Sequence, residues 1–388
     1  MDINFKEDEN GKIADSDELF DKIDGLLDNE EYDAAVKEIL SIPREKWSNK
    51  LRFRLINAYS NQKDLDKARK ELDETAALCD TPNDNARCHY LFGYLCEMSD
   101  NDIMAHEHYR KAAEIDPEYA KEIDLEDDIN ECSKNIAEAL SGFHSLCDKA
   151  AADIKQRCAE ATEKRDIPDE QFQTRLGYFP GIRKLPGFEH CMGFENYFVK
   201  YNGEDKEKCL KWFGNFYGIT DKESFFQYIQ NDIGCNNARM VYDVSAYFTG
   251  KPNFDVNELD EGGRIIFENV AMFVSAFIGY LPGAGVLAWD LCEKIGFARH
   301  AYGCGIISDI DYRIGMRNLT DTAKRNFSSW EEYMISLIFG AALYMFVTDE
   351  WSISSASEFV SNMTPILLQG DLAELQWHCL LEPTDCDN

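Results

Sequence analysis

Positive charge is what this 388-residue sequence has least of: Lys and Arg number 40 against 72 Asp and Glu, for a formal charge of −32. Binding nucleic acid means neutralising phosphates with a basic surface, so that class of partner is excluded. The anionic face of a membrane would repel the chain in the same way. No basic stretch followed by an apolar one opens the sequence, so no signal peptide is expected and the expected location is the cytoplasm. The 13 cysteines form no C-x-x-C pair and are odd in number, which argues for reduced, mostly buried thiols rather than a disulfide framework or a zinc site. Glycine-rich phosphate loops, nucleophile elbows and zinc-protease helices are also missing, and no cofactor or metal is expected. His106 and His108 lie two apart on a helix pattern and cannot chelate together, while His190-Cys191 and His378-Cys379 are isolated pairs. The longest uncharged run, Val270 to Trp289, is divided by Pro282, Gly283 and Gly285 and lacks a flanking basic cluster, so it reads as a buried helix, a turn and the start of a second helix.

What is present is enough apolar material for more than one core: 44% of residues are hydrophobic and 12% aromatic, which separates this acidic chain from disordered ones. A phrase recurs in the N-terminal third. Tyr32-Asp-Ala-Ala35-x-x-x-Ile39, Leu65-Asp-Lys-Ala68-x-x-x-Leu72 and Asp102-Ile-Met-Ala105-x-x-x-Tyr109 place their alanines 33 and 37 residues apart. The third copy adds Gly93, Ala112 and Asp116-Pro117, the second adds Leu55 and Tyr59, and the first is the loosest, ending at Ile42-Pro43. This pattern resembles the tetratricopeptide repeat, about 34 residues long, in which small residues let two helices approach and large ones fill the gap. The resemblance implies about three helical hairpins over residues 1–117, stacked as an α-solenoid with a groove. In that register Phe20, Asp24, Leu27 and Asp28, then Lys50, Phe53, Asn57 and Asn61, then Arg87, Tyr90, Tyr94 and Met98 would line the groove. Phe53, Asn57, Arg87, Tyr90, Tyr94 and Met98 are the candidate binding residues, for a protein or peptide partner or for intramolecular packing on the rest of the chain. Phe20 and Asp24 stand where the version of the repeat that clamps a peptide carboxylate wants Lys and Asn, so chaperone-tail binding is not implied.

Residues 118–170 read as capping and connecting helices. Ile129, Cys132, Ile136, Leu140, Phe143 and Cys147 form one helical stripe, in a single long helix or two with a break near Gly142. The segment Asp166 to Glu195, with Pro168, Pro180 and Pro186, reads as a domain junction. From there residues 171–388 are expected to form a compact α-helical domain, so that the whole chain is all-α. Gly303 and Gly305 should stop one helix, Ser308 and Asp311 should form a capping box at the next, and Ser328 or Ser329 should cap an apolar helix over Met334 to Val347.

The order Trp212-Phe213-Gly214, Ala288-Trp289-Asp290, Ala298-Arg299, Gly303-x-Gly305-Ile-Ile-Ser308, Phe327-Ser-Ser-Trp330-Glu331-Glu332 and then Gly340 resembles the bacterial family known as domain of unknown function 1266. The resemblance covers about residues 196 to 385 and implies a helical fold without an established activity. Many members carry Arg three residues after the Asp, whereas Glu293 stands there in this chain. Two functional readings follow. One is a cytoplasmic interaction or scaffold protein, in which Asp290 and Arg299 bond to neighbouring helices; nine residues apart, they fall half a turn from each other. The other is an enzyme whose polar pocket would gather Asp290, Glu293, Arg299, His300, Trp330 and Glu331 for acid–base work or to hold a cation.

Overall fold

The computed structural model describes residues 18–177, 198, 200–231, 236–250 and 255–378, and over them the chain is all-helical. The described chain divides into two compact units between Glu138 and Ala139, with Glu350–Ser352 counted in the first. The division falls inside the expected connector rather than in the Pro-rich segment after Asp166, and the part of that segment at 178–195 lies outside the described residues.

The first unit opens with three consecutive helix pairs: α1 (Glu18–Asp28) with α2 (Tyr32–Leu40), α3 (Asn49–Asn61) with α4 (Leu65–Ala76), and α5 (Pro82–Glu97) with α6 (Asp102–Ile115). Ser48, Asp64, Thr81 and Asn101 cap α3, α4, α5 and α6 through side-chain oxygens that accept backbone N–H groups. The turns inside the pairs are alike in detail. Glu30, Lys63 and Asp100 hold positive φ values of 61°, 61° and 55°. Each donates its N–H to the carbonyl three residues back, and Glu31, Asp64 and Asn101 donate to Leu26, Tyr59 and Cys96, five residues back. That is a Schellman turn made three times without glycine. The recurrent alanines Ala35, Ala68 and Ala105 are fully buried. In the third pair a Cβ on Gly93 would come within 2.4 Å of the Tyr109 ring, which is the small-against-large contact the phrase predicts.

Packing in this unit proceeds from pair to pair. One core joins Leu19, Phe20, Ile23, Ile39 and Trp47 to Leu51 and Leu55. A second joins Phe53, Ile56 and Leu72 to Cys88, Leu91 and Leu95. A third joins Ala86, Cys96 and Tyr109 to Leu125 and Cys132. A short helix, α7 (Pro117–Glu122), leads into α8 (Leu125–Glu160), a single helix of 36 residues without a break at Gly142. Its first part belongs to the first unit and the remainder to the second.

The second unit continues with α9 (Asp169–Leu176), α10 (Gly203–Tyr217), α11 (Lys222–Asn231), α12 (Asn237–Phe248), α13 (Glu261–Ser275), α14 (Leu287–Cys304), α15 (Asp309–Asn326), α16 (Trp330–Thr348) and α17 (Ile353–Gln369). Helix α14 is buried on every side and packs on α9, α10, α12, α15 and α16. Gly340 of α16 permits its closest neighbour: a Cβ there would meet the Trp289 Cβ at 2.4 Å and the Val286 carbonyl at 3.0 Å. The uncharged run becomes α13, a 3-10 turn at Ile278–Tyr280 and the start of α14, as expected. Gly305 ends α14 with φ 86°, Ser308 and Asp311 form the capping box of α15, and Ser329 caps α16. Helix α16 alone among the described helices is long and apolar enough to cross a membrane, but 67% of that stretch is buried within the protein, which fits a core helix.

The sequence pattern missed the clamp between residues 165–175 and the end of the described chain. Arg165 donates its N–H to the Glu374 carbonyl at 2.7 Å and accepts from the Gln376 N–H at 2.9 Å, an isolated parallel bridge. Asp371 sits between the Arg165 and Arg175 guanidinium groups, 2.9 Å from each. Residues 166–177, expected as linker, thus include a helix, α9, whose Phe172 and Leu176 are fully buried.

Candidate functional site

On the repeat helices the expected groove residues separate into two groups. Phe53 is 1% exposed and belongs to the second core, so it does not line an open groove; Phe20 is equally buried in the first core. Both face inward because the stacked pairs need large side chains between them, and a register read from alanine spacing does not resolve inner from outer positions on the first helix of a pair. Tyr90 is also largely a packing residue, with its ring 5.6 Å from Tyr109 and 6.4 Å from Tyr119. Asn57 is exposed, and Arg87, Tyr94 and Met98 are partly so. The Arg87 guanidinium lies over the Phe53 ring, 4.9 Å from its centroid, and Arg87 remains partly exposed. Asp24 is held by the fork of Arg54, at 2.6 Å from Nε and 2.7 Å from the terminal nitrogen. Between the first two pairs Glu71 is 6% exposed and bonded at 2.7 Å to both Arg44 and Arg52, whose guanidinium groups lie against Trp47.

In the second unit the residues proposed for a polar pocket have distinct partners. Asp290, 2% exposed, accepts the backbone N–H groups of Asn237 and Ala238 at 2.8 Å each and the Asn237 side-chain amide at 3.2 Å. It therefore caps α12 from another helix, supplying the acceptor that Asn236 at the helix's own N-cap position does not. Burial pushes its carboxyl up to about 6, against the pull of those N–H groups and of Lys294. Arg299, 1% exposed, hydrogen-bonds Tyr312 of α15, and burial lowers its pKa. His300 Nδ1 shares a hydrogen bond with the Tyr201 hydroxyl at 2.6 Å, and burial holds its pKa near 3, so the ring is neutral. Glu293 is buried on the same helix. Trp330 belongs to an aromatic group with Phe172, Tyr333 and Trp377. Glu331 is half-buried and acts electrostatically on Cys158 of α8. Asp290 and Arg299 are bonded to neighbouring helices, as expected of two residues half a turn apart.

Two pairs went unforeseen because they depend on the register between helices rather than on spacing along one. His108 of α6 meets His89 of α5, Nδ1 to Nδ1 at 3.1 Å, while Phe92 stacks on the His108 ring. Burial lowers both imidazoles, His108 to about 4, so one neutral ring donates to the other. Cys79, just after α4, touches Cys88 of α5. His378 is placed between Asp166 and Asp169, at 3.0 and 3.1 Å, with Phe172 stacked on it. His190, Cys191 and Cys379 lie outside the described residues. Among the described residues no three His, Cys, Asp or Glu side chains are grouped to hold a metal ion.

Residues 214–373 match the model of a family described as a protein of unknown function, DUF1266. The match begins at Gly214 and takes in the Ala-Trp-Asp block of α14, the α15 capping box and the Ser-Trp-Glu start of α16, but none of the helix pairs of the first unit. No curated protein and no solved structure matches the chain.

Proposed function

We propose that this is a cytoplasmic interaction protein, in which a tetratricopeptide-like array in the first unit offers a surface to a protein or peptide, and the second unit is a helical domain of the DUF1266 type. The observation that carries the reading is the threefold recurrence of one non-glycine Schellman turn together with the buried alanines at the same place in each pair. An array of repeated hairpins presents a continuous surface and needs no catalytic group. The side chains available for contact are Asn57, Arg87, Tyr94 and Met98, a mixture of amide, cation, aromatic and thioether suited to a peptide with acidic and apolar residues. Net charge keeps nucleic acid and anionic membranes from competing for that surface. Packing of the same surface within the chain is the alternative occupant.

Pulldown with the intact protein and with an Asn57→Ala/Tyr94→Ala variant tests this, since neither side chain belongs to a buried core. Loss of a discrete set of partners is the expected result, and an unchanged set refutes the binding surface. The enzyme reading has no observation of its own, because Asp290, Arg299 and Glu331 each serve or adjoin a different helix.

A further inference from the structure

Cys79 lies three residues beyond the end of α4, and Cys88 lies in the second turn of α5, on either side of the turn that joins the second helix pair to the third. Their sulfur atoms are 3.4 Å apart. A disulfide needs about 2.05 Å, so a small rotation of the more exposed side chain brings them to bonding distance. Both ends are held in place. Cys79 Sγ lies 3.3 Å from the Thr75 carbonyl, and the Asn49 side-chain amide approaches the same sulfur at 3.8 Å while donating to Asp84 at 2.9 Å. Cys88 is 3% exposed in the second core, whereas Cys79 is only half-buried. An oxidant from solvent therefore meets Cys79 first, with Cys88 waiting behind it.

We propose that Cys79 and Cys88 are a reversible redox pair that a peroxide converts to a disulfide, stapling the turn between the second and third helix pairs. In the first step the Cys79 thiolate attacks one peroxide oxygen. The O–O bond breaks, a sulfenic acid forms, and the second oxygen leaves as water after taking up the thiol proton. In the second step the Cys88 sulfur attacks the Cys79 sulfur. The S–S bond forms, the S–O bond breaks, the hydroxyl leaves as water with the Cys88 proton, and the balance is two thiols plus one peroxide to one disulfide plus two waters. Among the described cysteines, Cys96, Cys132, Cys147, Cys209, Cys292 and Cys304 are buried and offer no solvent-facing sulfur for the first step; Cys158 of α8 is half-buried like Cys79, but the 3.4 Å sulfur contact belongs to Cys79 and Cys88.

Burial raises both thiols. The Cys88 hydrogen bond partly relieves Cys79, Asp80 and Asp84 add to the rise, and Arg87 opposes it at Cys88. Pairing is therefore slow at neutral pH and accelerates about tenfold for each unit by which the pH rises toward the thiol's own value.

The test uses the full chain. After hydrogen peroxide treatment at pH 8 and alkylation of the remaining thiols, trypsin under non-reducing conditions cuts at Arg87, between the two cysteines. The expected product is peptide Glu71–Arg87 linked to peptide Cys88–Arg110, with fragmentation assigning the bond to Cys88 rather than to Cys96 in the same peptide. Dithiothreitol should release it, Cys79→Ser should abolish it, and Cys96→Ser should keep it. Because Cys79 is half-exposed, the Cys79→Ser protein should fold, and peroxide should raise the unfolding midpoint of the wild type but not of this variant. Recovery of Cys79 as an alkylated thiol or as sulfinic acid with no linked peptide overturns the proposal, and so does a link that survives in Cys88→Ser.

Discussion

The His89–His108 contact makes a residue-scale statement about pH. A lone imidazole titrates near 6.5, whereas burial lowers His108 to about 4 in the folded chain. The folded state therefore favours the neutral ring. Its contribution is fully present above pH 6.5 and is lost as pH falls from there toward 4, on the order of 2 kcal/mol. In urea titrations the wild type should lose stability between pH 7.5 and 5 relative to a His108→Phe variant; parallel profiles would show the contact to be neutral. Asp290 makes a second. Removing its carboxylate leaves the first N–H groups of α12 without their acceptor in a buried place, so Asp290→Ala should cost about 1–3 kcal/mol, read from the denaturation midpoint. The Asp290 block was visible in the sequence, and so was the bonding of Asp290 and Arg299 to neighbouring helices. That Asp290 caps a helix whose start lies 53 residues earlier was not visible, because Asn236 looks like a competent cap of its own and nothing local says that it fails.

At the scale of elements, the periodic features were legible: the helix pairs, the caps at Ser308 and Ser329, the stop at Gly305 and the apolar character of α16 all follow from short-range pattern. Contacts fixed by the register between helices were not. Phe53 and Tyr90 carry the same periodicity whether they face a groove or a core, and the Arg165 bridge to Glu374 and Gln376 joins segments that no local rule connects. Gly340 shows how sharply register matters, since a Cβ there would meet the Trp289 Cβ and the Val286 carbonyl of α14. Gly340→Ala should destabilise the protein by roughly 1–3 kcal/mol, although alanine is the better helix former. A variant as stable as the wild type in chemical denaturation would mean that α14 and α16 tolerate separation.

For the whole molecule the decisive quantity is the charge of −32. So large an excess of one sign opposes compaction through self-repulsion, and salt screens it: the Debye length falls from about 30 Å at 0.01 M to 8 Å at 0.15 M. The thermal midpoint should rise with sodium chloride over that range, by about 2–4 °C if the repulsion amounts to 1 kcal/mol. A flat response would mean that local pairs such as Arg44–Glu71–Arg52 and Arg175–Asp371–Arg165 already absorb the imbalance. A last consequence belongs to α8. At 1.5 Å per residue, its 36 residues make a rod of about 54 Å. Cys132 and Phe143 are fully buried, but no residue between them is. Apart from the Asn135 amide, which donates to Asp102 at 3.0 Å, that stretch relies on its backbone ladder and partly buried side chains, so its amide protons should exchange with deuterated solvent sooner than those of either anchored end. Gly142 meets nothing within 4 Å of an added Cβ, and Gly142→Ala should slow the exchange and add about 1 kcal/mol locally. The weakest span of α8 is then one that a single methyl group can adjust.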